Sequence, residues 1–143
     1  MTDLHYDDAT LKDIFATTRT IAVVGASPNP ARPSHGVMRF LKARGYRVIP
    51  VNPNGGPEIL GEKVYANLAD VPDGIDMVDI FRNSELAGAA VDEALAVAKT
   101  KGISTIWMQL GVRDDAAAKR ARAQGLTVIM DRCPAIEIPR LGR

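Results

Sequence analysis

A short apolar run that ends at a glycine constrains the fold of this chain more than any other segment. Residues 21–24 are Ile-Ala-Val-Val, and Gly25 follows before a helical turn could form. A run of this length, rich in β-branched residues, is typical of a strand buried on both faces, as in parallel sheets. Gly25, Ala26 and Ser27 are small, so the backbone can turn sharply and a bulky group can approach it closely. The segment predicts a parallel strand followed by a tight loop.

A helix is predicted to begin soon after this loop. Ser34 has the chemistry of a helix N-cap, Val37, Met38 and Leu41 follow at helical spacing, and Gly45 marks the end. A strand, a glycine turn and a helix N-terminus form an anion site, because free N–H groups and the helix dipole converge there. We therefore expect a nucleotide or another phosphate-bearing cofactor at this loop.

The rest of the chain alternates strands with helices. Further strands are predicted at residues 47–51, 77–81, 103–110 and 127–130, and helical periodicity is found near residues 7–17, 34–44, 84–101, 114–124 and 136–141. This alternation is typical of a parallel sheet with helices on both faces. The predicted fold is α/β, a Rossmann-like three-layer sandwich whose five parallel strands follow the order 3-2-1-4-5. We expect a single domain over residues 1–143, with residues 1–19 as a leading helix packed on it.

Composition argues against several classes of function. The formal net charge of +1 creates no global field for nucleic acid or membrane surfaces, so neither is an expected partner. The single cysteine, Cys133, excludes an internal disulfide. No apolar run is long enough to span a bilayer, and the first residues do not have the pattern of a signal peptide. We therefore expect a cytoplasmic protein. Neither His5 nor His35 has a partner at metal-ligand spacing, so no metal site is predicted. No acid–base pair stands out, which favours a binding site over a catalytic one.

The candidate ligand groups follow the carboxyl ends of the predicted strands, where open α/β sheets bind ligands. Guanidinium groups bind phosphate bidentately, and the cationic candidates at this edge are Arg32, His35, Arg82 and Arg113. Any one of these arginines taken alone is more often a solvated surface residue. Gln109 ends an apolar strand, so its side chain either reaches a ligand or satisfies a neighbouring loop.

The first loop is a weak dinucleotide motif that an ordinary strand-to-helix turn explains about as well, and the end of the second strand argues against NAD. The first loop does not match G-x-G-x-x-G, because Ser27 and Pro30 occupy the second and third glycine positions. The second strand ends at Asn52, where a dinucleotide-binding fold usually places an acid that accepts hydrogen bonds from the ribose. A neutral amide at this position leaves room for a phosphorylated ribose.

Seven blocks along the chain resemble the stand-alone CoA-binding domain proteins of Rossmann type. These blocks are VVGAS, RPSHGV, GYRVIPVNP, VYANLADVP, VDIFR, WMQLGV and MDRCPAIE, and they lie within residues 20–141. They are similar to the CoA-binding domain of succinyl-CoA synthetase α subunits and of NDP-forming acyl-CoA synthetases. The resemblance implies binding of coenzyme A, or of an acyl-CoA, through its ADP portion.

The resemblance also assigns cofactor-binding residues to the loops. The first phosphate-contacting loop would comprise Gly25, Ala26, Ser27 and Pro28. The adenosine and its ribose phosphate would be bordered by Asn52, Pro53 and Asn54. The adenine side would be flanked by Phe81 and Arg82. The pyrophosphate or the pantetheine arm would be met by Gln109, Leu110 and Gly111, and the loop before the helix would add Arg32 and Ser34.

Departures from the synthetase pattern shape the functional expectation. The chain lacks the ligase and ATP-grasp domains that acyl-CoA synthesis requires, so we expect a non-catalytic binding module, a sensor or an accessory subunit acting with a partner enzyme. The pattern's lysine after the second strand is replaced by Asn54 and Gly55, so Arg32 or Arg82 would have to bind the ribose phosphate. Cys133 is a candidate for a mixed disulfide with the CoA thiol. The alternative functions are an NAD(P)-dependent oxidoreductase-type Rossmann domain and a domain serving only in assembly.

Overall fold

Helices and strands alternate along residues 4–143, the part of the chain that the computed structural model describes. The helices are α1 (Asp8–Thr17), α2 (Pro33–Ala43), α3 (Ser84–Lys101), α4 (Asp115–Ala123) and α5 (Pro134–Arg140), with a 3₁₀ turn at Leu68–Asp70. The strands are β1 (Thr20–Val24), β2 (Arg47–Val51), β3 (Glu58–Ile59), β4 (Glu62–Lys63), β5 (Met77–Ile80), β6 (Thr105–Met108) and β7 (Thr127–Ile129).

Five parallel strands form the central sheet in the order β2-β1-β5-β6-β7, which confirms the predicted α/β sandwich. The predicted strand order is wrong in one respect. Numbered as the sequence predicts them, the strands follow 2-1-3-4-5 and not 3-2-1-4-5, because β5 pairs with β1 instead of lying outside β2. The point at which the strand order reverses, where ligands bind in open α/β sheets, therefore lies between β1 and β5.

The outer edge of β2 explains this order. The N–H of Tyr65 donates to the carbonyl of Pro50 at 3.1 Å, and the N–H of Asn52 donates to the carbonyl of Tyr65 at 2.9 Å. The segment after β2 thus covers this edge, and the chain then crosses to the free side of β1. The imide nitrogen of Pro50 lies on the same side of the strand as its carbonyl, so the missing donor costs β2 no ladder bond with β1.

Alternate residues of each strand contribute side chains to two apolar cores on opposite faces of the sheet. In β1, Ala22 and Val24 belong to the core covered by α3 and α4, whereas Ile21 and Val23 belong to the core covered by α1, α2 and α5. In the second core, Trp107 is fully buried, and its ring lies 5.4 Å from that of Phe15 in α1. We call this second core the α2-side core.

Local capping chemistry starts three of the helices. The side chains of Asp7, Asn83 and Asp114 accept hydrogen bonds from backbone N–H groups in the first turns of α1, α3 and α4. The predicted N-cap Ser34 is wrong: α2 begins one residue earlier at Pro33, and its N-cap residue, Arg32, makes no side-chain capping bond. Proline fits the first helical position because its missing N–H would have no helical partner there.

The N-terminal segment is fastened to the far end of the chain. The N–H of Met130 donates to the Tyr6 hydroxyl at 2.9 Å, and the Arg132 guanidinium donates to the carbonyl of Leu4 at 2.9 Å. Residues 1–3 of the predicted leading segment lie outside the described residues. Within residues 4–143, no helix has both the length and the apolar character needed to cross a bilayer.

Candidate functional site

A cleft of about 500 Å³ lies at the carboxyl ends of β1, β5 and β6, where α2 and α3 begin. This is the edge at which the sequence predicts a ligand. The cleft is lined by these predicted residues: Gly25, Ser27, Arg32, Ser34, Asn52, Phe81, Arg82, Gln109, Leu110 and Gly111. The tertiary structure therefore brings together residues from four loops, those after β1, β2, β5 and β6, that the sequence assigned to one site.

Four predicted residues do not line this cleft. Pro53 borders a smaller neighbouring hollow of about 290 Å³ on the α3 side of the sheet, and Arg82 lies in the wall shared by both spaces. Ala26 is fully buried, whereas Pro28 and Asn54 are exposed on the loops behind the cleft.

Gly25 is required where β1 passes the end of β5. Its φ is +87°, and a Cβ atom at this position would lie only 2.4 Å from the carbonyl oxygen of Phe81. The N–H of Gly25 donates to Val51 and that of Phe81 donates to Val24, so the backbones of three adjacent strand ends are held together. A larger residue would have to separate them and widen the floor of the cleft.

The loop between β1 and α2 is shaped by its own side chains. The Ser34 hydroxyl accepts from the N–H of Ser27 at 3.0 Å, and the Ser27 hydroxyl accepts from the N–H of Asn29 at 3.1 Å. Asn29 in turn accepts from the N–H of Ala31 at 2.9 Å. Ser34 therefore folds the loop onto the helix start instead of capping the helix. The positive end of the α2 dipole consequently remains uncapped by a side chain and borders the cleft.

Asn52 ties the second loop to the first. Its Nδ2 donates to the carbonyl of Ala26 at 2.8 Å, and its Oδ1 accepts from the N–H of Asn54 at 2.9 Å. An aspartate could not make the first of these bonds. The amide that stands where a dinucleotide-binding fold usually has an acid is thus a structural requirement of this pair of loops.

The loop after β6 is held by a residue that follows β7. The N–H of Gly111 donates to a carboxylate oxygen of Asp131 at 2.7 Å, and the N–H of Val112 donates to the carbonyl of Gln109 at 2.8 Å. Asp131 adopts a positive φ of 56°, which an acidic residue tolerates better than a branched one. Leu110 is 58% exposed at the tip of this loop, so an apolar side chain borders the cleft there.

The side chains that line the cleft carry a net positive charge. Arg32 and Arg82 line it, and the lining includes no aspartate or glutamate. Arg113, the other arginine predicted at this edge, instead donates to the Asp115 carboxylate at 2.7 and 3.1 Å. Because the whole chain has a formal net charge of only +1, the attraction for anions is local to this cleft.

Some residues at the site were not predicted. Pro33, Asn83 and Val112 also line the cleft, and the position of Asn83 as a helix cap at the ligand edge was the signal available for it. The fully buried Asp79 in β5 was overlooked as well, although an acid inside an apolar strand is visible in the sequence. His35 is buried in α2 with its Nδ1 3.4 Å from the Arg39 guanidinium, and Cys133 is buried at the start of α5.

Neither histidine contributes to a metal centre in the described part of the chain. Across residues 4–143, no three His, Cys, Asp or Glu side chains are placed to hold a metal ion together. The polar groups at the cleft are instead hydroxyls, amides and guanidinium groups, a set that suits an anionic organic ligand.

Comparison with known proteins identifies the family of this chain. The sequence profile described as a CoA binding domain matches residues 19–139. The chain is similar to the uncharacterized protein YneT of Bacillus subtilis, with 37% identity over 125 residues that cover 87% of this chain and 89% of that protein. It is also similar to a hypothetical protein from Pyrococcus horikoshii of known structure, with 35% identity, a TM-score of 0.89 and complete coverage of both chains.

One longer relative matches this chain over only a small part of its own length. The ADP-forming acetate–CoA ligase II of Archaeoglobus fulgidus is 35% identical over 95 residues, which are 65% of this chain and 13% of the ligase. The shared portion is therefore a small part of that enzyme. The profile match and the relatives together show that this chain belongs to the CoA-binding domain family.

Proposed function

We propose that the protein binds coenzyme A, or an acyl-CoA, in the cleft between β1 and β5, with the ADP portion at the arginines and the α2 N-terminus. This proposal rests on one observation: Arg32 and Arg82 line the cleft, and no aspartate or glutamate of residues 4–143 does. A phosphorylated ribose and a pyrophosphate are polyanions, and guanidinium groups and helix N-termini both favour such groups.

The remaining cleft residues suit the less charged parts of the ligand. Phe81 and Leu110 offer apolar surface, and Gln109 and Asn83 offer amide groups. Pantetheine carries both methyl groups and amides, so it would match this part of the lining. The notable absence of the synthetase lysine after β2 is offset by the two arginines, either of which would bind the ribose phosphate.

In this proposal the protein binds its ligand without catalysing a reaction. The cleft lining contains no carboxylate, cysteine or histidine that could transfer a proton or attack a thioester. A sensor, or an accessory subunit that presents the ligand to a partner enzyme, is consistent with such a lining. The mixed disulfide considered for Cys133 gains no support, because this thiol is buried and does not border the cleft.

Parallel calorimetric titrations of the ligand-stripped protein with CoA, dephospho-CoA and NAD test the proposal. We expect CoA to bind most tightly, because only CoA carries the ribose phosphate. Arg32→Ala and Arg82→Ala should each weaken CoA binding by about ten- to a hundredfold if the arginine makes a charged hydrogen bond to phosphate. The matched control is Arg19→Ala, an exposed arginine just before β1 at the opposite edge of the sheet.

Three results would contradict the proposal. Tighter binding of NAD than of CoA would favour the oxidoreductase-type alternative, which Asn52 and its bond to Ala26 do not favour. No binding of any of the three ligands would favour a role in assembly alone. An equal loss of affinity in Arg19→Ala would mean that the arginines act only through overall charge.

A further inference from the structure

An unpartnered carboxyl group lies directly beneath the cleft. Asp79, in the middle of β5, has no exposed surface, and neither of its side-chain oxygens has a hydrogen-bond partner among residues 4–143. Burial raises the pKa of this carboxyl well above its ordinary value, and no nearby cation counteracts the effect. A buried polar group without a partner destabilises the folded state, so its presence calls for a reason.

A second orphaned acceptor lies close by. Gln109 is 6% exposed, and its Oε1 has no partner in the described structure. Asp79 pairs with Trp107 across the β5–β6 ladder, and Gln109 follows Trp107 by two residues. Because side chains alternate along a strand, Asp79 faces the α2-side core together with Trp107. Gln109 lies one residue beyond β6, and its N–H donates to the carbonyl of Ile80, the residue after Asp79, at 3.2 Å. Buried polar groups that lack a direct partner on neighbouring strands are commonly bridged by an ordered water molecule.

The ladder neighbours of Asp79 in the sheet offer it no hydrogen-bond partner. On the other side it pairs with Val23, and Met77 precedes it on the same face, so these neighbours are apolar. The indole N–H of Trp107 donates to the carbonyl of Arg132 at 2.8 Å, which removes it as a partner for the carboxyl.

We propose that Asp79 is a positioning residue: one water molecule bridges its carboxyl group and Oε1 of Gln109, and so turns the Gln109 amino group towards the cleft. This inference rests on the proposed function, because Gln109 lines the proposed CoA cleft. A Gln109 amide held this way presents N–H donors to ligand oxygens. The opposite orientation would direct a carbonyl oxygen at them and would repel phosphate.

The donor to Oε1 of Gln109 in this arrangement is the water molecule, which has two O–H groups. One O–H donates to Gln109, while the water either accepts from the O–H of a neutral Asp79 carboxyl or donates its second O–H to a carboxylate. Burial, which raises the pKa of the Asp79 carboxyl, favours the first of these two forms.

Two uncharged substitutions separate positioning from simple stability. Asp79→Asn keeps a hydrogen-bonding group at the same place, whereas Asp79→Leu replaces it with an apolar group of similar branched shape and larger volume. We expect Asp79→Leu and Gln109→Leu each to weaken CoA binding by about three- to tenfold, and Asp79→Asn to restore most of the affinity. The double variant Asp79→Leu with Gln109→Leu should lose no more than either single one. Met77→Leu, on the same strand and face, is the control for repacking this core.

A ligand-independent measurement keeps this inference distinct from the proposed function. The infrared C=O band of the neutral carboxyl, identified by its loss in Asp79→Asn, should shift to higher frequency in Gln109→Leu because the hydrogen-bonded chain is broken. An unchanged band, or equal CoA affinities of Asp79→Leu and wild type, would overturn the positioning role. If the wild type binds no CoA yet the band shifts, the proposed function fails and the Asp79–Gln109 coupling stands.

Discussion

The α-carbon of Gly25 faces the carbonyl oxygen of Phe81 so closely that a Cβ atom would lie 2.4 Å from it. Gly25→Ala should lower the free energy of unfolding by about 2–4 kcal/mol, because the left-handed backbone and the clash with a main-chain atom both oppose a methyl group. Urea denaturation monitored by the fluorescence of Trp107, the single tryptophan, measures this change.

The matched control is Gly45→Ala. Gly45 has a similar φ of +91° but no atom within 4 Å of an added Cβ, so only the backbone strain, about 1–2 kcal/mol, should appear. Equal destabilisation by the two substitutions would show that the strand ends at Gly25 and Phe81 separate without cost.

Asn52 should not tolerate the acid that dinucleotide-binding folds usually carry at this position. In Asn52→Asp, a carboxylate oxygen would face the Ala26 carbonyl in place of the Nδ2 donor, which should lower the free energy of unfolding by about 1–3 kcal/mol. CoA binding should weaken as well, because the new charge borders the cleft. Asn52→Ala is the comparison, because it removes the Nδ2 donor without adding a charge. If Asn52→Asp is as stable as the wild type and gains NAD affinity, the structural account of Asn52 is wrong.

Asn83 allows the charge of the cleft to be changed while the helix cap is preserved. Its Oδ1 accepts from the N–H of Leu86 at 3.0 Å, and aspartate caps helices about as well as asparagine. Asn83→Asp should therefore change the free energy of unfolding by less than about 0.5 kcal/mol. It should weaken CoA binding, because it adds a carboxylate to a cleft that has none.

Asn67→Asp is the control for this change. Asn67 caps the 3₁₀ turn in the same manner but does not line the cleft, so its substitution adds the same charge elsewhere. Calorimetric titration with CoA should distinguish the two variants. Unchanged CoA binding by Asn83→Asp would place the anion away from the α3 N-terminus.

Asp79 should make the stability of the protein depend on pH. Burial raises the pKa of its carboxyl in the folded state above the ordinary value of 3.8, so the folded state keeps a proton that the unfolded chain releases. As the pH rises from that ordinary value to the folded-state pKa, the wild type should lose stability relative to Asp79→Asn, which cannot ionise there. Above the folded-state pKa the difference should become constant.

Urea denaturation at a series of pH values tests this dependence. Asp13→Asn, at an exposed position of α1, removes a carboxyl without removing a buried one and serves as the control. A stability difference between wild type and Asp79→Asn that does not change with pH would mean that Asp79 is not the group that titrates.

Much of the fold follows from local patterns in the sequence. The apolar runs that end at turn residues predicted the five strands of the sheet, and Asp7, Asn83 and Asp114 start helices through contacts within three residues. The hairpin of β3 and β4 was not predicted, because strands of two residues are too short to show a period. Ser34 was misplaced as a cap because its actual partner, Ser27, is seven residues away.

The sequence by itself determined the alternation of strands and helices, the edge of the sheet where a ligand would bind and the family to which the chain belongs, because each depends on short-range patterns or on ordered blocks. Only the tertiary structure decided that β5 lies beside β1, because Tyr65 covers the edge of β2. It also decided which polar groups form hydrogen bonds within the protein and which line the cleft. Asn52 and the N–H of Gly111 belong to the first set, and the side chains of Arg32 and Arg82 belong to the second. These outcomes depend on partners distant in sequence, whose positions are set only when the whole sheet packs.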